Sequence, residues 1–296
     1  MSAKRPLHAL LGAAAMLHAA GAAAAISAVD DSGHAITLPS PATRIVSLAP
    51  HATELLFAAG AGERVVGVSE YSDHPEAAKR LPSVGGSLQL DLERIIALKP
   101  DLIVAWKSGN SARQLSRLRA LGMMVFDSEP RGFADIASSL ERLGTLAGTD
   151  EGRMQAKKFR ATVESLRQRY AGRPKVAVFY QIWPSPLMTL NDAHFVSEAI
   201  RVCGGVNVFG QLRPLAPTVS REAVVKADPD AIFISDERSD AFDRWRELRR
   251  MKAVSHGHLF RIDGTAMNRP GPRLADATRV LCERIDEARK RDNEQR

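Results

Sequence analysis

Several motifs of enzymes and of nucleic-acid-binding proteins are missing from this chain of 296 residues. It has no Gly-x-Ser-x-Gly motif, which marks the nucleophile of many serine hydrolases, and no glycine-rich phosphate loop after its first predicted strand. Its net charge of +7 is interleaved with acidic residues and lacks the aromatic-studded basic stripe of a nucleic-acid-binding surface. We therefore expect neither an enzyme nor a nucleic-acid partner.

Clustered metal ligands are also missing, although the chain contains eight histidines. His256 and His258 are one residue apart, with no further histidine or cysteine at a zinc-finger-like spacing. His51 follows the first predicted strand of the sheet, where it is either a solvated loop residue or an axial ligand to cobalt or haem iron. We predict no metal site and no resident cofactor.

Long apolar segments are rare: one lies near the start and none follows it. Residues 7–25 are apolar and alanine-rich, follow Lys4 and Arg5, and end in three alanines. This is the pattern of a secretory signal peptide, which we place at residues 1–25 with cleavage before Ile26. The alternative is an uncleaved membrane anchor, for which the segment is short and weakly hydrophobic.

The sequence has only two cysteines, Cys203 and Cys282. In an exported protein an even pair of cysteines predicts a disulfide bond, since the compartment is oxidising. The alternative is two buried free thiols.

What the chain does contain is one pattern used twice, in residues 93–101 and 222–230. Each segment begins with a glutamate, has two β-branched residues at the second and third places after it, and ends in Pro-Asp. Each glutamate follows a potential helix N-cap, Asp91 or Ser220, by two residues. An apolar stretch comes next in both, so the pattern predicts a short helix and a buried strand in each of two similar lobes.

Predicted strands alternate with predicted helices on both sides of one long helix, which indicates an α/β fold with parallel sheets. After a hairpin near the mature N-terminus, the predicted strands are 45–48, 65–68, 102–106, 123–126, 175–180, 231–235 and 259–262. Besides the repeated helices and one after Pro50, the predicted helices are 111–121, 133–146, 194–203, 240–250 and the segment from 273. We predict an N-terminal lobe at 26–148, an interlobe helix at 149–172 and a C-terminal lobe at 173–296, with a ligand cleft between the lobes.

Several segments together resemble the helical-backbone (class III) periplasmic substrate-binding proteins of ABC importers, whose members carry vitamin B12, haem or iron siderophores. The segments are 44–50 with Thr53 and Glu54, 67–69, 92–104, and 203–205 with Asn207. The resemblance runs from about residue 28 to the end of the chain. It implies two α/β lobes joined by one helix, a periplasmic location and a cleft that holds the ligand.

The chain is similar in particular to the cobalamin-binding members of this family, and the two cysteines stand where those members have a disulfide. The resemblance implies that the ligand is a corrinoid, either cobalamin or its precursor cobinamide. The ligand-binding residues it indicates are Pro50, Tyr71, Trp106, Trp183, Met188, Met267 and Arg269. Other positions that are aromatic in those members are here Ser87, Ala216 and Ala266, as well as Met188 and Met267, so the aromatic set is reduced.

The resemblance also gives the two repeated glutamates a role. Glu93 and Glu222, one from each lobe, are expected to engage arginines of the importer's permease. The alternative is that both are acidic residues of a first helical turn, which the helix dipole favours. We expect a monomer that meets the membrane only through the permease.

Two other ligand classes remain open, haem and ferric siderophores. An anionic siderophore would be held by arginines, for which Arg131, Arg213, Arg269 and Arg273 are candidates. The alternative from a different class is a periplasmic hydrolase that uses Ser47 or Ser69 with a histidine.

Overall fold

The structure, a computed structural model, describes residues 25–235 and 240–294. Except for its last residue, the predicted signal peptide at residues 1–25 therefore lies outside the described part of the chain. Within the described ranges, none of the helices is both long enough and apolar enough to cross a membrane.

The first lobe alternates strands and helices. Its strands are β1 (Ile26–Val29), β2 (Ala35–Leu38), β3 (Ile45–Ser47), β4 (Val65–Val68), β5 (Leu102–Trp106) and β6 (Val125–Ser128). Its helices are α1 (Pro50–Ala58), α2 (Leu92–Ala97), α3 (Ala112–Ala120) and α4 (Phe133–Ala147), with 3-10 helices at Gly62–Arg64 and Glu76–Arg80. β1 and β2 form an antiparallel hairpin, and the other four strands form a parallel sheet in the order β4-β3-β5-β6.

One long helix, α5 (Glu151–Tyr170), follows the first lobe. The side chains on its buried face recur every three or four residues, as expected for one face of a helix. They are Phe159, Val163, Leu166 and Tyr170. Near its start, Gly152 packs so closely on α4 that an added Cβ would lie 2.3 Å from the carbonyl oxygen of Leu140. A larger residue there would push α5 away from the first lobe.

The second lobe repeats the alternation. Its strands are β7 (Val176–Gln181), β8 (Trp183–Pro184), β9 (Leu187–Met188), β10 (Gly205–Asn207), β11 (Ala231–Ile234) and β12 (Leu259–Arg261). Its helices are α6 (Phe195–Val202), α7 (Arg221–Ala227), α8 (Asp243–Arg246), α9 (Lys252–Ser255), α10 (Gly264–Met267) and α11 (Leu274–Glu294). β8 and β9 form a short hairpin, and the others form a parallel sheet in the order β10-β7-β11-β12.

Helix α5 packs against both lobes. It contacts α1 and α4 of the first lobe, and α6 and α11 of the second. The predicted fold class, two parallel-sheet α/β lobes joined by one long helix, is confirmed.

The repeated sequence pattern forms the same unit in each lobe, α2 with β5 and α7 with β11. Asp91 caps α2 by accepting a hydrogen bond from the backbone N–H of Arg94 at 2.9 Å. Ser220 caps α7 in the same way, accepting from the N–H of Ala223 at 3.1 Å. Both predicted N-caps are confirmed.

The Pro-Asp end of the pattern joins each repeated strand to its neighbour. The Asp101 carboxylate accepts hydrogen bonds from the backbone N–H of Thr43 at 2.7 Å and of Arg44 at 3.1 Å, just before β3. The Asp230 carboxylate accepts from the N–H of Ala177 in β7 at 2.8 Å. The repeated aspartates are therefore structural: each fixes the start of the strand beside its own.

One predicted strand is shifted along the chain, and one predicted helix is much shorter than expected. The strand predicted at 123–126 is β6, Val125–Ser128, because the buried Asp127 and Ser128 extend it beyond the apolar run. The helix predicted at 240–250 is wrong over most of its length, since α8 covers only four residues. The chain then turns, and the backbone N–H of Lys252 donates to the Asp228 carboxylate at 2.9 Å where α9 begins.

The disulfide bond between Cys203 and Cys282 is present, with the two Cα atoms 4.6 Å apart. Cys203 directly follows α6 and Cys282 lies within α11, and both are completely buried. The bond therefore ties two helices of the second lobe across a sequence separation of 79 residues.

Removal of this bond by the double change Cys203→Ser with Cys282→Ser should lower the free energy of unfolding by roughly 4 kcal/mol, because the unfolded chain is then no longer closed into a long loop. Urea unfolding of the wild-type and double-variant proteins measures this difference. A loss of less than about 1 kcal/mol would contradict a constraint of this size on the unfolded state.

Candidate functional site

A cavity of about 1290 Å³ lies between the two lobes. Its apolar lining consists of Pro50, Trp106, Pro130, Ile182, Trp183, Pro184, Ala193, Phe195, Leu215 and Pro270. Its polar lining consists of His51, Ser108, Glu129, Arg131, Ser185, His194, Ser235, Gly264, Thr265, Asn268 and Arg269. Both lobes contribute to each set, so the cavity is an interlobe cleft, as predicted.

The cavity walls come largely from the carboxyl ends of parallel strands. Pro50 follows β3, Trp106 ends β5, and residues 129–131 follow β6. In the second lobe Ile182 follows β7 and Ser235 follows β11. Ligands of open parallel sheets bind outside the carboxyl ends of the strands, and here two such sheet edges share one cavity.

Four of the seven ligand-binding residues indicated by the sequence line the cavity: Pro50, Trp106, Trp183 and Arg269. The indole of Trp106 lies over Gly109, where an added Cβ would be 2.0 Å from a ring carbon, so this glycine makes room for the ring. Trp183 lies on the β8–β9 hairpin with 58% of its surface exposed. The lobes thus contribute one tryptophan each.

The other three, Tyr71, Met188 and Met267, are not among the residues that line the cavity. Tyr71 is 79% exposed, and its carbonyl oxygen accepts a hydrogen bond from Arg269 at 3.2 Å. Met188 is half-buried and pairs with Trp183 across the hairpin. Met267 is completely buried in α10, so its side chain belongs to the core of the second lobe.

His51 lies in the first turn of α1 and is almost completely buried. The expectation of a solvated loop residue at this position is therefore wrong. Its Nε2 is 3.2 Å from the hydroxyl of Ser128, and its ring meets Trp106 edge-on with 5.7 Å between ring centroids. Burial, together with the nearby Arg269 guanidinium, lowers the pKa of His51 to about 4. The imidazole is therefore neutral at neutral pH.

A second neutral imidazole, His194, lines the opposite wall, although the sequence did not indicate it as a cleft residue. Its Nδ1 accepts a hydrogen bond from the backbone N–H of Val196 at 3.1 Å and so caps α6. This acceptor role places the proton on Nε2. Burial lowers the pKa of His194 to about 4. The common signal of such lining residues is their position after a strand or at the start of a helix.

The two serines considered for a hydrolase, Ser47 and Ser69, form hydrogen bonds with other hydroxyl groups. Ser47 and Ser69 lie in a buried cluster of hydroxyls, with Thr53 and Ser72 between them. Ser128, which contacts His51, is completely buried and cannot attack a ligand in the cleft.

Four charged residues meet across the lobes beside the cavity, and we call them the interlobe clasp: Glu54 and Asp73 from the first lobe, Arg269 and Arg273 from the second. Arg273 donates to both carboxylate oxygens of Glu54, at 2.7 and 2.9 Å. Arg269 donates to Glu54 at 3.2 Å and to Asp73 at 2.6 Å. Hydrogen bonding from Arg269 is the largest influence that keeps the pKa of Asp73 below its usual value. The clasp therefore contains two negative and two positive charges.

Outside the cleft, potential metal ligands of Asp30, His34 and Asp127 lie within 4.8 Å of one another. Asp30 accepts hydrogen bonds from the backbone N–H groups of Ser32 and His34, at 2.9 and 2.8 Å. Asp127 accepts from Arg119 at 2.5 Å and from the Ser32 hydroxyl at 2.7 Å. These bonds hold the β1–β2 turn against β6, and a cation would have to displace them.

Glu93 and Glu222 are both exposed in the first turns of the equivalent helices α2 and α7. Hydrogen bonds from its own backbone N–H and from the Ser220 hydroxyl lower the pKa of Glu222. Across residues 25–235 and 240–294, neither glutamate forms an ion pair.

A cavity formed where the strand ends of two α/β lobes face each other defines the class of two-lobed ligand-binding proteins. Residues 45–266 match the periplasmic binding protein family, and the chain belongs to that family.

Named relatives agree with this assignment. The vitamin B12-binding protein of Vibrio cholerae is 39% identical over 254 residues, which are 85% of this chain and 92% of that protein. The crystal structure of the periplasmic vitamin B12 binding protein BtuF of Vibrio cholerae superposes with a TM-score of 0.78, covering 84% of this chain and 99% of that one. The periplasmic haem-binding protein RhuT from Roseiflexus sp. RS-1 has the same fold, with a TM-score of 0.74 at 24% identity, over 83% of this chain and 98% of that one.

The buried neutral imidazole of His51 should make stability depend on pH. Unfolded histidine takes up a proton near pH 6.5, whereas folded His51 does so only near pH 4, so the free energy of unfolding should fall as pH falls between these values. The contribution of His51 over the whole window is roughly 3 kcal/mol. His51→Gln should reduce this dependence, leaving the share contributed by the buried His194, in urea unfolding measured from pH 7 to pH 4.

His74→Gln is the matched control, because His74 is exposed in the same lobe. It should leave the pH dependence of unfolding as in the wild-type protein. An unchanged pH dependence in His51→Gln would contradict a depressed pKa for that imidazole.

Proposed function

We propose that this protein captures a corrinoid, cobalamin or its precursor cobinamide, in the interlobe cleft in the periplasm and delivers it to an ABC importer. The observation that carries the proposal is the large interlobe cavity in a chain 39% identical to a vitamin B12-binding protein. At about 1290 Å³ the cavity exceeds the range of roughly 300–1,000 Å³ that is usual for drug-sized ligands, so it suits a larger molecule.

The chemistry of the cavity wall supports a flat ligand fringed with amides. Trp106 and Trp183 offer aromatic faces, with Phe195 and several prolines around them. Ser185, Thr265 and Asn268 add neutral hydrogen-bonding groups, and the Nε2–H of His194 is a donor. A corrin ring is mostly apolar and carries amide side chains, so it can use both kinds of group.

The electrostatics of the cleft favour a corrinoid over an anionic siderophore. Of the four arginines considered for a siderophore, Arg269 and Arg273 are already neutralised by Glu54 and Asp73. Arg213 is exposed and does not line the cavity. Only Arg131 of the four lines the cavity outside the clasp, and Glu129 lines it too, so the lining from the described residues carries no excess of positive charge. A multiply charged anion needs such an excess.

We predict that the purified mature protein binds cyanocobalamin and dicyanocobinamide with a dissociation constant of about 1 μM or lower, since both present the apolar ring and its amides to the cleft. Absorption titration in the visible range measures this, with haem and a ferric siderophore as competitors. The corrinoid proposal fails if neither corrinoid binds while haem or the siderophore does.

Trp106→Ala should weaken corrinoid binding by about tenfold, because it removes an aromatic face from the cavity wall. Leu88→Ala is the control: this side chain is 79% exposed in the same lobe and does not line the cavity. Equal affinities of the two variants would contradict ring contact at Trp106.

We further propose that Glu93 and Glu222 dock the protein on its permease. The N-caps and aspartates of the repeated unit have partners within the fold, but neither glutamate has an ion-pair partner in the described ranges. One exposed carboxylate per lobe suits a partner with two cationic sites. Pairing of both with permease arginines would also orient the cleft.

The double change Glu93→Ala with Glu222→Ala should therefore leave corrinoid affinity unchanged and abolish importer-dependent uptake of labelled cobalamin. Glu63→Ala with Glu283→Ala is the control, since these are exposed glutamates of helical segments, one in each lobe. Normal uptake by the Glu93/Glu222 variant would show that the two residues are only helix-end charges.

A further inference from the structure

The interlobe clasp joins residues that are 196 to 219 positions apart in the chain. Glu54 contacts Arg269 and Arg273 across sequence separations of 215 and 219 residues. The Glu54 side chain is only 1% exposed, and those of Arg269 and Arg273 are 17% and 23% exposed. Because the carboxylate is shielded from water, its attraction to the two cations is weakly screened.

The second lobe holds its half of the clasp in place. Arg273 also donates to the carbonyl oxygen of Thr265 at 2.9 Å and to its hydroxyl at 3.3 Å. These bonds within the second lobe hold the guanidinium in the orientation in which it contacts Glu54. Between the two arginines, Gly271 passes so near Glu54 that an added Cβ would lie 3.3 Å from the carboxylate. The arginines therefore reach Glu54 from a backbone segment that lies against it.

A second polar contact crosses between the lobes elsewhere. Glu198 of α6 accepts a hydrogen bond from the backbone N–H of Phe133 at 2.9 Å, at the start of α4. The N-cap residue of α4 is Gly132, which has no side chain to accept this bond, so Glu198 of the second lobe accepts it instead. Gly132 allows the approach, because an added Cβ there would lie 2.7 Å from the Glu198 carboxylate.

Both contacts lie about one helical turn away from residues that line the cavity. Glu54 follows His51 by three residues along α1, and Glu198 follows His194 by four residues at the start of α6. At 3.6 residues per turn, each contact sits just beyond the wall of the cavity. The spacing between the two walls thus depends on them.

We propose that the interlobe clasp sets the spacing of the two lobes before any ligand binds, which makes Glu54 a positioning residue for ligand capture. Opening the cleft on this side would break the hydrogen bonds that Glu54 accepts from both guanidinium groups, so the clasp favours the observed spacing. Helix α5 then acts together with the clasp, not alone, in limiting the motion of the lobes. This inference applies to any ligand and does not rest on the corrinoid proposal.

The test measures the distance between the lobes in the ligand-free protein. Spin labels are placed at Ser116→Cys and Ser255→Cys, exposed positions in the first and second lobes, and the distance distribution is recorded by double electron–electron resonance. Glu54→Gln keeps the shape of the side chain but removes its charge. We expect its distance distribution to broaden toward longer values than that of the wild-type protein.

Glu76→Gln is the matched control, because Glu76 is an exposed glutamate that pairs with Lys79 within the first lobe. It should leave the distribution unchanged. Asp73→Asn should broaden the distribution less than Glu54→Gln does, since the Asp73 side chain is 46% exposed. A Glu54→Gln distribution that matches the wild-type one in a folded protein would overturn the proposal.

Arg273→Lys is the second variant in case Glu54→Gln does not fold, since it keeps the charge and loses the paired hydrogen bonds. It should also broaden the distribution, and an unchanged distribution would again overturn the proposal. Ligand binding should also respond: each tenfold fall in the fraction of molecules with correctly spaced lobes should weaken the apparent affinity for the ligand about tenfold. The distances are measured without ligand, so failure of the corrinoid proposal would leave this test intact.

Discussion

The geometry of parallel strands is the constraint on which the rest of this structure depends. In each lobe the strands run in the same direction, so the segments that follow them meet at one edge of the sheet. Helix α5 connects the lobes so that these two edges border the same cavity. Residues far apart in the chain, such as Pro50, Trp106 and Ser235, line the same cavity for this reason. The α/β alternation therefore decides where the cavity is, and the residues after each strand decide what it can hold.

Much of this arrangement could be predicted from the sequence, because it follows from local patterns. The α2–β5 and α7–β11 units are encoded by a cap, an apolar helix face, a proline and an apolar run, all within about a dozen residues. Helix α5 could be predicted because its apolar residues recur every three or four residues, which is the period of a helix. Local patterns failed where the elements are too short to have a period: the strand β10 has three residues, and α8 has four.

The site was predictable only in part, because its decisive contacts are not local. The resemblance indicated Trp106 and Trp183, and both line the cavity, one at the end of a strand and the other in the hairpin after β7. The pairing of Glu54 with Arg273 joins positions 219 residues apart, and no spacing in the sequence signals it. The resemblance placed Met267 in a ligand loop, but its side chain is completely buried in the structure. Which face of a four-residue helix points inward depends on tertiary packing.

The clasp also changes what an arginine near the cleft means. By residue type alone, Arg269 and Arg273 argue for an anionic ligand, because free guanidinium groups bind carboxylates and phosphates well. Here both already donate to carboxylates of the opposite lobe. An anionic ligand that took over either guanidinium would leave a first-lobe carboxylate without its cation, which is unfavourable. The same two residues therefore serve the spacing of the cleft instead of its charge. If the proposed function holds, selection among ligands is left to the tryptophans, the neutral imidazoles and the hydroxyl and amide groups of the wall, which discriminate by shape and hydrogen bonding.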